Sequence, residues 1–217
     1  MKDHESIRGS WRVKLSEIVI FAMEATMTTF IYMVRHGESP KTEGTERTRG
    51  LTDKGKIDAI RITELLKNEG IEVFVSSPYQ RAILTIQELA RCSGKEVFVY
   101  EDLKERVFLN EDKRMPDDEL IPLLEKSFSD PSYALEGGES NINCQNRAIK
   151  VLHELLEIYK GQKIALGTHG AIMTLMMGYY DEQYDLHFLR QTTKPDVYRL
   201  EFNNKELVQV NRMWHVL

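Results

Sequence analysis

The sequence of 217 residues has the length of one α/β domain, or of such a domain with a modest insertion. With 41% hydrophobic and 29% charged residues it has the composition of a globular protein, and a net charge of −5 without a dense basic segment argues against a general nucleic-acid binder. The two cysteines, Cys92 and Cys144, lie far apart and outside any C-x-x-C motif. We therefore expect reduced thiols in a cytoplasmic protein, with no zinc site and no disulfide framework.

The first 26 residues do not fit a membrane segment. Their apolar run over 18–23 is too short to span a bilayer, and Glu17 and Glu24 flank it closely, which is unusual for a secretory signal. The codons for residues 23–27 can include GGAGG, which resembles a bacterial ribosome-binding site. We predict that Met27 is the native start, that residues 1–26 are an extension, and that residues 27–217 form a single domain.

An apolar run over residues 28–34 predicts a buried parallel strand. Arg35, His36 and Gly37 follow directly, which are residues that the middle of such a strand avoids. In open α/β sheets, ligands bind beyond the carboxyl ends of the strands. A cation, an imidazole and a glycine therefore stand where a reaction is expected.

After a polar loop over 38–50, the sequence predicts a helix, a strand and a second helix. Thr52 is the expected N-cap of the first helix. We assign the apolar face of this helix to three residues, Ile57, Ile60 and Leu65. A strand over 71–76 then runs into Ser77 and Pro78, the predicted N-cap and first position of the second helix. Arg81 falls in the first turn of that helix, where anions are favoured, and so predicts a cationic pocket.

A third strand, over 97–100, is followed by the carboxylates of Glu101, Asp102 and Glu105. Residues 107–138 contain three prolines and lack a regular pattern, and acidic residues outnumber basic ones there. Long irregular connections in compact domains often cover active sites. We therefore predict an acidic lid inserted over the sheet at about 107–138.

The last third of the chain predicts a long helix capped by Ser140, a strand over 163–166 that runs into His169, and a helix from 171 to about 180. It ends in a hairpin of two strands, 197–202 and 206–213. The alternation of strands and helices predicts an α/β three-layer sandwich, in which a mostly parallel sheet has helices on both faces.

The residues at the strand ends suit phosphoryl transfer without a metal. A neutral imidazole such as His36 can attack phosphorus when a hydrogen bond to its other nitrogen fixes the tautomer. Arginines such as Arg35 and Arg81 bind phosphoryl oxygens with two donors each and neutralise their charge. A carboxylic acid with the placement of Glu105 can protonate the leaving oxygen.

The chain resembles the phosphatase branch of the histidine phosphatase superfamily, also called phosphoglycerate-mutase-like. Five motifs carry the resemblance and occur in the family's order, Arg35-His36-Gly37-Glu38, Leu51-Thr52-x-x-Gly55, Ser76-Ser77-Pro78-x-x-Arg81-Ala82, Gly138-Glu139-Ser140 and Thr168-His169-Gly170. One such motif is weak evidence, whereas five in order over residues 28–180 are strong evidence.

The resemblance implies roles for the matched residues. His36 would be the nucleophile that becomes phosphohistidine, while Arg35, Arg81 and His169 would complete the phosphate pocket. Glu105 matches the proton donor, although Glu101 and Asp102 are close enough in sequence to compete for the role. Further contacts to the substrate are expected from four residues, Gly37, Thr42, Arg49 and Gly170. Thr42 stands where the family often has Asn, which puts that contact in doubt.

The leading hypothesis is a metal-independent phosphomonoesterase that needs no cofactor, acts on a small phosphorylated metabolite and binds neither nucleic acid nor membrane. A phosphoglycerate mutase is the second reading, but the F-x-G-W-x-D stretch of mutases is missing and the predicted lid is acidic. A catalytically idle module that binds phosphorylated ligands or proteins is the third. A zinc site on His36 and His169 lacks a third ligand at typical spacing. The sequence leaves open whether the protein is a monomer or a homodimer.

Overall fold

The computed structural model describes residues 27–109 and 115–215, so the predicted extension 1–26 lies outside the described residues. The strands are β1 (Thr28–Arg35), β2 (Val73–Ser76), β3 (Val97–Val99), β4 (Lys163–Thr168), β5 (Asp196–Asn203) and β6 (Glu206–Arg212). The helices are α1 (Asp53–Leu66), α2 (Gln80–Cys92), α3 (Asp117–Ser129), α4 (Asn141–Ile158), α5 (Gly170–Gly178) and α6 (Leu186–Gln191), with a 3₁₀ turn at Glu101–Leu103.

The strands of the described residues form one sheet in the order β3-β2-β4-β1-β5-β6. Strands β3, β2, β4 and β1 are parallel, whereas β5 runs antiparallel to β1 and pairs with β6 as the predicted hairpin. Strand β1 is therefore hydrogen-bonded to β5 along its whole length and to β4 from Phe30 to Arg35. This sheet confirms the predicted mostly parallel α/β architecture.

Two hydrophobic clusters, one on each face of the sheet, form the core. Inward residues of β1 and β4 such as Ile31 and Leu166 pack with α4 and α5 on one face. Their neighbours along the strands, such as Tyr32 and Ala165, pack with α1 and α2 on the other. Because side chains alternate between the faces of a strand, a continuous apolar run is what a strand covered on both faces requires. The three layers are as predicted.

The buried face of α1 differs from the prediction. Ile57 and Ile60 are 60% and 58% exposed, and Leu65 is 36% exposed. The side chains that pack inward lie at i, i+3, i+4 and i+7, namely Ala59, Ile62, Thr63 and Leu66. The predicted face was wrong because it followed the large isoleucines, whereas Ala59 and Thr63 complete a regular helical stripe.

The N-caps were predicted with mixed success. The Thr52 hydroxyl accepts the Gly55 N–H at 3.1 Å, and Ser140 caps α4 in the same way, as expected. Helix α2, however, begins at Gln80 with Tyr79 at the N-cap, so the assignment of that role to Ser77 was wrong. The Ser77 hydroxyl accepts the Tyr79 N–H at 3.1 Å and also bonds to a histidine of the site.

Two helices were not expected from the sequence. Helix α3 lies within the segment 107–138 that we expected to be irregular, and it contains Pro122. Its first turn holds Asp117, Asp118 and Glu119, which favour the positive end of a helix and offset the backbone hydrogen bond that the proline lacks. Helix α6 precedes β5 and contacts α3. In the part of the chain that is described, no helix is long and apolar enough to cross a bilayer.

Candidate active site

The register of the central strands brings the two predicted histidines together. Arg35, the last residue of β1, pairs with Thr168, the last residue of β4, and the His36 N–H donates to the Thr168 carbonyl at 3.0 Å. His36 and His169 therefore leave neighbouring strands side by side, with ring centroids 5.2 Å apart. This juxtaposition follows from parallel pairing and confirms that both lie beyond the carboxyl edge of the sheet.

The imidazole of His36 is held as one neutral tautomer. Its Nδ1 lies 2.7 Å from the Gly37 carbonyl oxygen, which can only accept, so Nδ1 carries the proton and Nε2 keeps its lone pair. Burial lowers the pKa of His36 well below its ordinary value of 6.5, and the nearby charges of Arg81 and Arg35 lower the pKa further. The ring is therefore uncharged at neutral pH.

Gly37 contacts other parts of the protein and does not line the cavity beside His36. Its N–H donates to the Thr85 hydroxyl at 3.0 Å, and a Cβ at this position would lie 3.0 Å from the Gly55 carbonyl oxygen. The absence of a side chain thus allows the loop after β1 to pack against the first turn of α1. Through this packing and its carbonyl, Gly37 orients the His36 ring.

His169 is fully buried against His36. Its Nε2 lies 2.6 Å from the Ser77 hydroxyl, and Tyr79 packs edge-on against its ring at 5.1 Å. Its Nδ1 has no hydrogen-bond partner within residues 27–109 and 115–215. Burial, followed by the positive charge of Arg81, lowers the pKa of His169 well below 6.5, so this ring is also neutral at pH 7.

Arg35 is fixed at the end of β1 by the loop that leads into β5. One of its terminal nitrogens donates to the Thr192 carbonyl at 3.0 Å and also contacts the Thr192 hydroxyl. Gly170 allows this placement, because a Cβ there would lie 2.8 Å from Arg35 Nη2. Both residues line the cavity described below, where a contact with the substrate stays a prediction.

Arg81 and Arg49 share the carboxylate of Glu46. Oε2 of Glu46 lies 2.9 Å from Nη2 of Arg81 and 2.9 Å from Nη2 of Arg49, and Oε1 accepts from Arg49 Nε at 3.2 Å. Arg81 lies in the first turn of α2 and is buried. Its guanidinium stacks 4.8 Å above the Tyr79 ring. Burial and the charge of Arg49 lower the pKa of Arg81 to about 10, so it remains a cation at neutral pH.

Glu105 lies at the N-terminus of α5. Its carboxylate accepts the backbone N–H groups of Ala171 at 3.1 Å and Ile172 at 2.9 Å, in addition to that of Arg106 at 2.9 Å. A helix N-terminus suits an acidic group, and the contacts fix the direction of the carboxyl group. Glu105 lines the cavity.

The two competing carboxylates are placed differently from Glu105. Glu101 is half exposed and pairs with Arg47 at 2.6 Å and with Lys104 at 3.4 Å. Asp102 is exposed. Neither is among the residues that line the cavity, so the geometry favours Glu105 for an acid at the site.

A cavity of about 910 Å³ opens at this edge of the sheet. Six of the predicted residues line it, namely Arg35, His36, Arg49, Arg81, Glu105 and Gly170. Three others are not part of its wall: Gly37 and His169 lie behind it, and Thr42 is exposed on the neighbouring loop. Within the described residues, no three His, Cys, Asp or Glu side chains cluster in a way that could hold a metal ion.

Several residues of the site were not anticipated from the sequence. Glu46 stood in a loop without periodicity, and only its spacing of three from Arg49 hinted at an ion pair. Ser77 gave the signal of an N-cap, although its hydroxyl holds His169. Thr192 offered no local signal, because its contact with Arg35 joins positions 157 residues apart.

Comparisons with known proteins agree with this geometry. The family model of the histidine phosphatase superfamily (branch 1) matches residues 31–213. Over 156 residues the chain is 31% identical to phosphoglycerate mutase-like protein 4 of Arabidopsis thaliana, covering 66% of this chain and 67% of that protein. It is 26% identical over 160 residues to phosphoserine phosphatase 1 of Hydrogenobacter thermophilus, covering 67% of this chain and 73% of that protein.

Solved structures of phosphatases share this fold. A phosphoserine phosphatase from Entamoeba histolytica, solved in complex with 3-phosphoglyceric acid, matches with a TM-score of 0.71 and 23% identity, covering 86% of this chain and 98% of that one. The strand order, the paired histidines and the family match lead to one conclusion. This chain belongs to the histidine phosphatase superfamily and is a phosphoric monoester hydrolase.

Proposed function

We propose that the protein is a metal-independent phosphomonoesterase that hydrolyses a small phosphorylated metabolite through a phosphohistidine at His36. The neutral, single-tautomer imidazole of His36 beside three cavity arginines is the observation that carries this proposal. Nε2 has the free lone pair that an attack on phosphorus requires, and its partner nitrogen is held by the Gly37 carbonyl. Nucleophilic catalysis by histidine needs this combination.

The first half-reaction transfers the phosphoryl group to the enzyme. His36 Nε2 forms a bond to phosphorus while the bond between phosphorus and the ester oxygen breaks. Arg35, Arg49 and Arg81 hold the phosphoryl oxygens, with the Glu46 carboxylate displaced from the last two. The Glu105 carboxyl group supplies the proton to the leaving oxygen, so that an alcohol departs instead of an alkoxide.

The second half-reaction returns the enzyme to its starting state. The Glu105 carboxylate takes a proton from a water molecule as the water oxygen bonds to phosphorus and the bond from phosphorus to Nε2 breaks. Inorganic phosphate leaves, and Glu105 is protonated again. His169 packs behind His36 and limits rotation of the nucleophile's ring, so we assign it the positioning of His36 in both steps.

The wall of the cavity favours a phosphatase over a bisphosphoglycerate-dependent mutase. A mutase of that kind must hold a strongly anionic cofactor above the histidine. Here Asp117 and Glu119 from the first turn of α3 line the cavity together with Arg106, Arg190 and Lys194, so the charge of this wall is mixed and not strongly cationic. Such a wall supports a second phosphate less well than that cofactor requires, which favours water as the acceptor of the phosphoryl group.

Hydrolysis of p-nitrophenyl phosphate in EDTA, by the wild type and by His36→Ala, tests the proposal. We expect wild-type turnover and an acid-labile phosphohistidine on the peptide that contains His36, both lost in the variant. His153→Ala is the matched control, because His153 lies on α4 and bonds to Tyr180 outside the cavity. Activity that EDTA abolishes, or that survives in His36→Ala, would contradict the mechanism. Binding of phosphate without turnover would favour the idle module.

A further inference from the structure

The cavity extends well beyond the space that a phosphoryl group needs. Its volume of about 910 Å³ is at the upper end of the range for sites that enclose drug-sized ligands. The arginines, His36 and Glu105 occupy the end at the strand termini. The ester group that departs from phosphorus must lie in the remaining part, so the residues there select the substrate.

Apolar side chains from two facing helices form much of that remaining wall. Helix α3 contributes three residues at i, i+1 and i+4, which are Leu120, Ile121 and Leu124, and helix α6 contributes Leu186 and Leu189 at i and i+3. Each set lies on one face of its helix. Ile121 is 49% exposed, which is unusual for a large apolar residue in a concave surface and marks area that a ligand can remove from water.

Charged residues near this wall are engaged with other parts of the protein. Arg106 is buried, donates to Asn141 and to the Tyr133 carbonyl, and stacks 3.9 Å from the Phe108 ring. Arg190 pairs with Glu125, and Asp117 pairs with Lys41 at 2.9 Å. These three charged groups therefore have partners within the protein, although Nη1 of Arg106 has none among the described residues, and the apolar atoms of the wall remain available.

We propose that the preferred substrates are monophosphate esters of apolar alcohols, with an alkyl or aromatic group that packs between α3 and α6. This inference rests on the proposed phosphatase function and specifies its substrate class. Burial of apolar area is the driving force, and each buried methylene is worth about a fourfold gain in affinity. The gain should be visible in kcat/KM, because the leaving group is in contact with the wall in the transition state.

A series of n-alkyl phosphates from ethyl to octyl tests the inference. Their leaving alcohols have nearly equal acidity, so differences in rate report contacts of the chain. We expect kcat/KM to rise by about two- to fourfold per added carbon until the cavity is filled. Leu124→Asn should flatten the rise, while Leu123→Asn should preserve it, because Leu123 lies on the same helix but outside the cavity wall.

The outcomes separate the two proposals. If short and long esters are hydrolysed equally well by the wild type, or if Leu124→Asn keeps the full rise, the substrate class is wrong while the phosphatase mechanism stands. If no ester is hydrolysed and His36 takes up no phosphate, both proposals fall together. The rate with ethyl phosphate, measured on the same preparation, shows that each variant is folded and retains its phosphate pocket.

Discussion

Replacing Glu46 with Gln should make the enzyme bind phosphate more tightly. The Glu46 carboxylate accepts hydrogen bonds from Arg49 and from Arg81, the two guanidinium groups that the proposed substrate needs. Its side chain is only 18% exposed, so water competes little for these contacts. A bound phosphate must therefore either lie beside the carboxylate or expel it from both arginines.

Each route has a cost that can be estimated. Two negative charges about 4 Å apart repel by about 4 kcal/mol at the effective dielectric constant of a protein surface. Expulsion gives up three hydrogen bonds between charged groups, each worth about 1.5–3 kcal/mol, so both routes oppose the binding of phosphate. Gln keeps the shape and one acceptor but loses the charge, so we expect phosphate affinity to rise by about tenfold or more, equal to about 1.4 kcal/mol.

The assay is the inhibition constant of orthophosphate against p-nitrophenyl phosphate turnover. It should fall about tenfold in Glu46→Gln, and KM should fall with it, whereas kcat should not rise because the gain applies to the ground state as well. Glu43→Gln is the matched control, since Glu43 is exposed on the same loop and lies outside the cavity wall. An unchanged or weaker inhibition by phosphate in Glu46→Gln would show that Glu46 positions the arginines and does not compete with the substrate.

Three further predictions concern the acid, the support of the histidine pair and pH. Glu105→Gln should lower the rate of hydrolysis of alkyl phosphates by about 10²-fold or more. It should lower the rate with p-nitrophenyl phosphate far less, because a nitrophenolate departs without a proton. Equal losses of rate with both esters would show that Glu105 is not the acid. Ser77→Ala should lower the free energy of unfolding, measured by urea titration, by about 1–3 kcal/mol, because it leaves the buried Nε2 of His169 without its partner. An unchanged free energy of unfolding would mean that this hydrogen bond is weak. Folding lowers the pKa values of His36 and His169, so the unfolded chain binds more protons than the folded chain below pH 6.5. The free energy of unfolding should therefore decrease as the pH falls below 6.5, by up to about 1.4 kcal/mol per pH unit for each ring. A stability that stays flat from pH 6.5 to 5 would contradict their neutral burial.

The layers and the sheet could be predicted from the sequence because their signals are local. Apolar runs fix the strands, and a motif placed directly after a strand fixes which edge of the sheet a side chain reaches. Arg35 and His169 were located in this way. Helix α1 shows the limit of the method, because Ile57 and Ile60 are apolar but lie on the solvent side, where nothing in the local pattern distinguishes them from Ile62.

The parts of the site that sequence reasoning missed depend on contacts between distant segments. Glu46 reaches Arg81 across 35 positions, and the pairing exists only because the loop after β1 folds against α2. The wall formed by α3 was hidden by Pro122, which normally argues against a helix interior. Thr42 matched a family position only by its spacing from the first motif, and the structure does not bring it to the cavity.

Strand β1 carries the nucleophile at its end and is hydrogen-bonded along both edges, to β4 and to β5. Amide protons in such a strand exchange with solvent only when the whole domain opens, whereas short outer helices such as α3 and α6 can open alone. Hydrogen exchange should therefore be slowest at Met33 and Val34 and much faster at Leu120 or Leu189. Substitutions in α3 and α6 would change which alcohols fit the cavity, while the residues around His36 stay the same. The range of substrates can therefore differ among related chains that share one set of residues at the phosphate pocket.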